Sequence, residues 1–335
     1  LKGRMLRQEV YALDGTDKEP HPYTVTEQNF TIRMVQPRGS NRHAVFFTHA
    51  RESISYHYER NPVDPRVQHA LTLEVDDYGN LLKEVAIGYG RRAMIRVVDE
   101  TREVRSISNP PLEEFGEEDR EKQTATLITY TEKDFTSVVD ESDAYRTPLI
   151  AEIRTYELTG YAPTGTEGRF QPQDFVRPDP DEPSRLIHVF DREISYEASP
   201  TGGRERRLIE CVRTYYRSDD LGASVNDPDA LLPLGKLESL ALPGETYRLA
   251  FTPGLIEAVF RRNGELLIPD PSRVLGGQSP DRGGYVDLDS DGHWWIPSGR
   301  IFYSPDLADT PPQEMSYARQ HFFLPFRFRD PFGQT

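Results

Sequence analysis

The clearest pattern along the chain has a period of two. Ile54, Tyr56 and Tyr58 alternate with Ser53, Ser55, His57 and Glu59, the signature of a strand with one apolar face. Leu71, Leu73 and Val75 repeat it, and Leu81, Val85, Ile87 and Tyr89 return on one parity, interrupted by Lys83. Between the two runs stands Asp76-Asp77-Tyr78-Gly79-Asn80, whose Gly and Asn supply the positive φ of a tight reversal, so residues 71–89 read as a hairpin. Further strands are expected at Val45–His49, Thr124–Thr131, Pro148–Leu158, Ile187–Tyr196, Leu208–Tyr216, Leu249–Thr252, Tyr285–Leu288, Trp294–Pro297 and Ile301–Tyr303. Near the end, Phe322, Leu324, Phe326 and Phe328 share one face of a last expected strand. Helix is scarce. The best candidate, Asp227–Leu242, opens with Asp-Pro but contains Pro233 and Gly235, which favour short turns over a long helix. The fold class is therefore all-β, mainly antiparallel, with long loops and few short helices.

Two stretches punctuate this pattern. Ser106–Gln123, with Pro110-Pro111 and the acidic run Glu113–Glu121, reads as a surface loop or boundary. Gly160–Arg185 is rich in Pro and Gly but contains Phe170, Phe175 and Val176, so it has something to bury. The expected organisation is a β-rich segment over 1–159, a connecting loop over 160–185 and a second β-rich segment over 186–335. Leu1 and Thr335 read as cuts in a longer polypeptide.

Composition removes several functions. The net charge of −15 argues against nucleic acid as a partner. No run of 18 apolar residues offers a membrane span. The one cysteine, Cys211, excludes a disulfide within the chain and reads as a buried, inert thiol. There is no Gly-x-Ser-x-Gly elbow, no phosphate-binding glycine loop, and no His or Cys spacing for zinc. With 55 acidic residues, no carboxylate pair stands out as a catalytic dyad. The sharpest motif is Asp287-Leu288-Asp289-Ser290-Asp291-Gly292. Asp287, Asp289 and Asp291 sit at alternate positions, as a calcium loop requires, but Ser298 replaces the closing Glu of an EF-hand. Two readings stand, a calcium site of β-loop type and an Asp-Gly turn. No other cofactor is expected. Trp294-Trp295 reads as packing, with a sugar platform as the alternative.

Several longer strings resemble the B component of the insecticidal Tc (ABC) toxin complexes, a TcaC-like and SpvB-related family. They are Leu1–Tyr11, Asn41–Phe47, Glu52–Pro62, Ala86–Arg92 and Gly283–Gly299. The end, Ala318–Pro325 followed by Phe328–Gly333, resembles the lead-in to Rhs (YD) repeats. The resemblance implies a wall segment of an Rhs-type β-sheet shell, or cocoon, which the B and C components build around a toxic effector enzyme. It implies delivery through a pore-forming A component, a secreted bacterial setting, and partners in the C component and the rest of B. It carries over no catalytic residue. The alternative is an extracellular β-sandwich or propeller-like module that binds glycan or calcium.

Overall fold

In a computed structural model, residues 3–98, 102–277 and 282–335 are described. Leu1 and Lys2 of the Leu1–Tyr11 string lie outside them. Strand occupies 40% and helix 12%. In chain order the elements begin with β1 (Arg7–Val10), β2 (Thr24–Gln36), β3 (Val45–His57), β4 (Arg66–Val75), β5 (Leu81–Tyr89), β6 (Met94–Val98) and β7 (Val104–Ser108). Helices α1 (Pro110–Glu113) and α2 (Glu117–Thr124) precede β8 (Leu127–Phe135), β9 (Val139–Asp140), β10 (Tyr145–Arg146) and β11 (Ile150–Thr159). Next come β12 (Val176–Pro178), β13 (Leu186–His188), β14 (Arg192–Ile194), β15 (Glu205–Arg217), β16 (Leu242–Phe251) and α3 (Pro253–Val259). The chain ends with β17 (Arg261–Arg262), β18 (Glu265–Leu266), β19 (Trp294–Pro297), β20 (Arg300–Phe302), α4 (Pro311–Gln320) and β21 (Arg327–Arg329).

The chain forms two compact units. The first takes residues 1–130, 157–192 and 202–206, and the second takes the rest. In the first unit β1 to β5 form an antiparallel meander in which each strand pairs with the next. The burial follows the pleat. On β4, Val67, His69 and Leu71 are buried while Arg66, Gln68 and Ala70 are exposed. Opposite them on β5, Val85 and Ile87 are buried. Gly79 has the positive φ expected of the β4–β5 turn, 91°, and Asp76 Oδ1 closes that turn by accepting from the backbone N–H groups of Tyr78 and Asn80. Phe170, Phe175 and Val176 are buried, so the 160–185 stretch is packed rather than slack.

In the second unit β15, β16 and β19 pair antiparallel, with bulges at Tyr215/Tyr216 and Leu249/Phe251. Its core is a set of clusters. Leu221, Leu242, Tyr303, Met315 and Ala318 form one; Cys211, Tyr247 and Trp295 another; Ile256, Leu275 and Trp294 a third.

Asp227–Leu242 forms short turns and no helix, as Pro233 and Gly235 favour; Gly235 adopts φ 78° and β16 begins at Leu242. Other expectations from the pattern are corrected. Ser106–Gln123 is not one loop, because α1 and α2 form there, α1 led by Pro110-Pro111 and α2 with Glu117, Glu118 and Asp119 in its first turn. Ile187–Tyr196 is divided into β13 and β14. Phe322–Phe328 is not a continuous strand. The chain leaves α4 through Phe322 and Phe323 at φ 57° and 54°, and only Arg327–Arg329 is extended and paired, with β20.

Candidate functional site

The polar side chains buried in each unit are the places where chemistry could reside. In the first unit two chains of them centre on histidines. His69, on the core face of β4, has Nε2 2.8 Å from Glu52 Oε1 and Nδ1 3.0 Å from the Tyr89 hydroxyl. The Tyr89 hydroxyl also accepts from the Phe170 backbone N–H at 2.9 Å. The tautomer that fits has Tyr89 donating to Nδ1 and Nε2–H donating to Glu52. Arg169 closes the group over the Tyr89 ring at 4.5 Å. The second chain centres on His188, which stacks on Tyr130 at 3.9 Å and lies 3.1 Å from the Tyr161 hydroxyl. Burial, with Arg206 and Lys83 nearby, lowers the His188 pKa to about 3. Burial likewise lowers His69 and raises Tyr161.

In the second unit arginines meet carboxylates. Arg217 is fully buried and grips Glu314 with two contacts, Nη1–Oε1 at 3.0 Å and Nη2–Oε2 at 3.2 Å. Arg300 reaches Glu245 Oε2 at 2.8 Å, and Arg329 reaches Asp229 Oδ1 at 2.5 Å. Together they line a polar cavity of about 180 Å³ with Tyr247 and Tyr285. Arg213 lies over Trp295 at 4.6 Å and donates to Glu152 at 2.7 Å and to Asp289 at 2.6 Å.

That last contact bears on the predicted calcium loop. Asp289 faces Arg213. Asp287 accepts from the backbone N–H groups of Asp291 and Gly292, both at 3.1 Å, and Asp291 accepts from His293 N at 3.0 Å. The geometry is a side-chain-capped turn with Ser290 and Gly292 at positive φ. Among the described residues no group of three or more His, Cys, Asp or Glu is arranged to hold a metal ion. Trp294 and Trp295 are both buried, in separate clusters. Cys211 is buried, and its thiol is pushed up to about 12 by burial and by Glu152.

The direction of these shifts is informative. A general base or nucleophile is tuned toward working pH. Here burial drives His188, Tyr161 and Cys211 toward their neutral forms and away from it. The arginines are held by carboxylates on other elements, Arg217 of β15 by Glu314 of α4 and Arg300 of β20 by Glu245 of β16. The pattern did not single out His69, His188, Arg217 or Glu314. A signal for Glu314 was present: Thr310-Pro311-Pro312-Gln313 is a capping box that announces α4.

Buried polar networks thus sit in a mainly antiparallel β frame with few short helices. The comparisons specify it. Residues 1–148 match the family described as the insecticide toxin TcdB middle/C-terminal region. A crystal structure of TcdB2–TccC3 superposes on 98% of the chain with TM-score 0.61 at 19% identity, using 13% of its own chain. The same complex without its hypervariable C-terminal region gives 0.59 at 18% identity, with 98% and 13% covered. The Photorhabdus luminescens Tc holotoxin pore gives 0.56 at 18%, over 89% of this chain and 12% of that one. No curated protein matches. The resemblance read from the sequence, to the middle and C-terminal region of a Tc toxin B component, is borne out in the family match and in the fold. The chain spans about an eighth of the solved chains it resembles.

Proposed function

We propose that this chain is a non-catalytic wall segment of a secreted, Tc-type toxin B subunit. In this reading the rest of the B subunit and a C component continue the wall, which encloses a toxic effector, and a pore-forming A component receives it. The observation that carries the reading is the superposition of 98% of the chain on a TcdB2–TccC3 complex. The ion-paired interiors support it, because a wall needs rigidity more than reactivity. No helix among the described residues is long and apolar enough to cross a membrane.

The test is a graft. Residues 1–335 replace the matched portion of TcdB2, and the chimera is co-expressed with TccC3. A closed particle by electron microscopy, with the C-terminal part of TccC3 protected from added protease, is the expected result. A folded chimera that binds TccC3 but leaves that part open to protease would sink the reading.

A further inference from the structure

Strands β2 and β3 outrun their neighbours. β1 reaches β2 only at Thr24–Glu27, and β4 reaches β3 only at Glu52–His57. Beyond those points, among the described residues, Phe30–Gln36 and Val45–Ala50 pair only with each other. The result is a two-stranded ribbon closed by the loop 37–44. Such a ribbon is marginal alone in water, and both of its edges offer unpaired strand backbone.

One face of the ribbon is accounted for. Arg33 lies over the Phe47 ring at 5.4 Å and donates to Asp77 at 2.9 Å, and a Cβ placed on Gly79 would stand 3.3 Å from Phe47. This face therefore rests on the β4–β5 turn. The opposite face carries Ile32 and the cross-strand pair Met34 and Phe46, exposed by 50%, 57% and 55%. Charge singles out the same element. Residues 30–51 hold Arg33, Arg38, Arg42 and Arg51 and no Asp or Glu, in a chain of net charge −15.

We propose that this ribbon is a docking arm for an acidic protein partner, which adds an extended strand of alternating acidic and apolar residues to its edge. Each part of the arm has a counterpart in such a strand. The open edge takes the partner's backbone, the Ile32–Met34–Phe46 row takes its apolar side chains, and Arg38 and Arg42 take its carboxylates in bidentate fashion. A membrane fits less well, because the tip 37–44, Pro-Arg-Gly-Ser-Asn-Arg-His-Ala, has no large apolar residue to insert, and the apolar row lies behind it. A nucleic acid would use the arginines and leave that row uncovered. The inference goes beyond the wall reading and does not depend on it.

The probe is a fluorescent peptide of alternating Glu and Val, about ten residues long, titrated with the 335-residue chain by anisotropy. A Lys-Val peptide and phosphatidylglycerol vesicles serve as comparisons. The Glu-Val peptide is expected to bind, to weaken with salt, and to lose at least about tenfold in affinity, roughly 1.4 kcal/mol, in both R38E/R42E and M34T/F46T. The Lys-Val peptide is expected not to bind. Circular dichroism checks that the variants fold; if M34T/F46T does not, R38E/R42E alone decides, since both of its positions lie on the exposed loop. The proposal is overturned if the Glu-Val peptide binds no better than the Lys-Val peptide, or if folded variants bind it as the parent does. Binding to the vesicles but not to the Glu-Val peptide also overturns it, in favour of a membrane.

Discussion

Removing the carboxylate of Glu314 tests whether the buried arginine contacts hold the second unit together. Arg217 is 0% exposed and Glu314 2%. Besides Glu314, Arg217 donates to the backbone carbonyls of Leu221 at 2.9 Å and Pro228 at 3.1 Å, while Glu314 accepts from Tyr303 N at 2.6 Å. The pair therefore ties β15, the segment after it, β20's end and α4 to one point. Glu314→Ala leaves a guanidinium uncompensated in the interior, at a cost of about 3–5 kcal/mol. It also strips the Tyr303 N–H of its acceptor, which adds roughly 1–3 kcal/mol. Replacing both partners, as Arg217→Met with Glu314→Leu, removes the charge problem but orphans the carbonyls and the same N–H. The double variant is thus expected to recover only part of the loss. For a body of roughly 150–250 residues each kcal/mol shifts the midpoint by about 2–4 °C, so the single variant should melt at least roughly 8 °C lower. Differential scanning calorimetry reads this, with the exposed pair Lys122–Glu118 as control; Lys122→Ala should move its transition by no more than about 0.5 kcal/mol. A Glu314→Ala loss below about 1 kcal/mol, or a double variant worse than the single one, would refute the argument that this is a buried, charge-compensated clamp.

Gly79→Val should cost about 1–2 kcal/mol or more, because φ is 91° and the new Cβ meets Phe47; an unchanged melting temperature would contradict the turn. His188 should make the first unit acid-sensitive. Its pKa is about 3 when folded against 6.5 unfolded, so its contribution is complete above pH 6.5 and falls away as pH drops toward 3. The loss should reach about 2 kcal/mol by roughly pH 5, and a His188→Phe variant should show a flatter pH dependence of melting. Cys211 should resist iodoacetamide in the native protein at mildly alkaline pH and react once urea unfolds it, since its thiol is buried and shifted up to about 12; rapid native labelling would contradict the burial.

The hairpin of β4 and β5 was legible because two local signals agree there, alternation on both strands and an Asp-rich turn with Gly79. The Phe322–Phe328 stretch alternates as well, and the alternation misled. Its first residues leave α4 at positive φ, a conformation set by the helix before them and not by their own side chains. The capping box that starts this helix was present in the sequence, but two prolines in its first turn make the segment look like loop. The polar networks were illegible for a different reason. Arg217 and Glu314 stand 97 positions apart, and Arg213 and Asp289 stand 76 apart, so no local pattern pairs them. Asp289 illustrates the consequence: its spacing suggests a cation ligand, and the cation it meets is a guanidinium from another strand.

Both tryptophans of the chain are neighbours on β19, yet each is sunk in a different cluster of the second unit. Indole emission is therefore a private channel for one short strand, and it is silent about the first unit. A spectral shift to the red on adding denaturant marks the moment β19 leaves its place, whatever the rest of the chain is doing. Set beside far-ultraviolet ellipticity, which weighs every strand, the two traces coincide only if the units unfold together. A gap between them would give the interval over which one unit survives without the other, read from the native protein with no label attached.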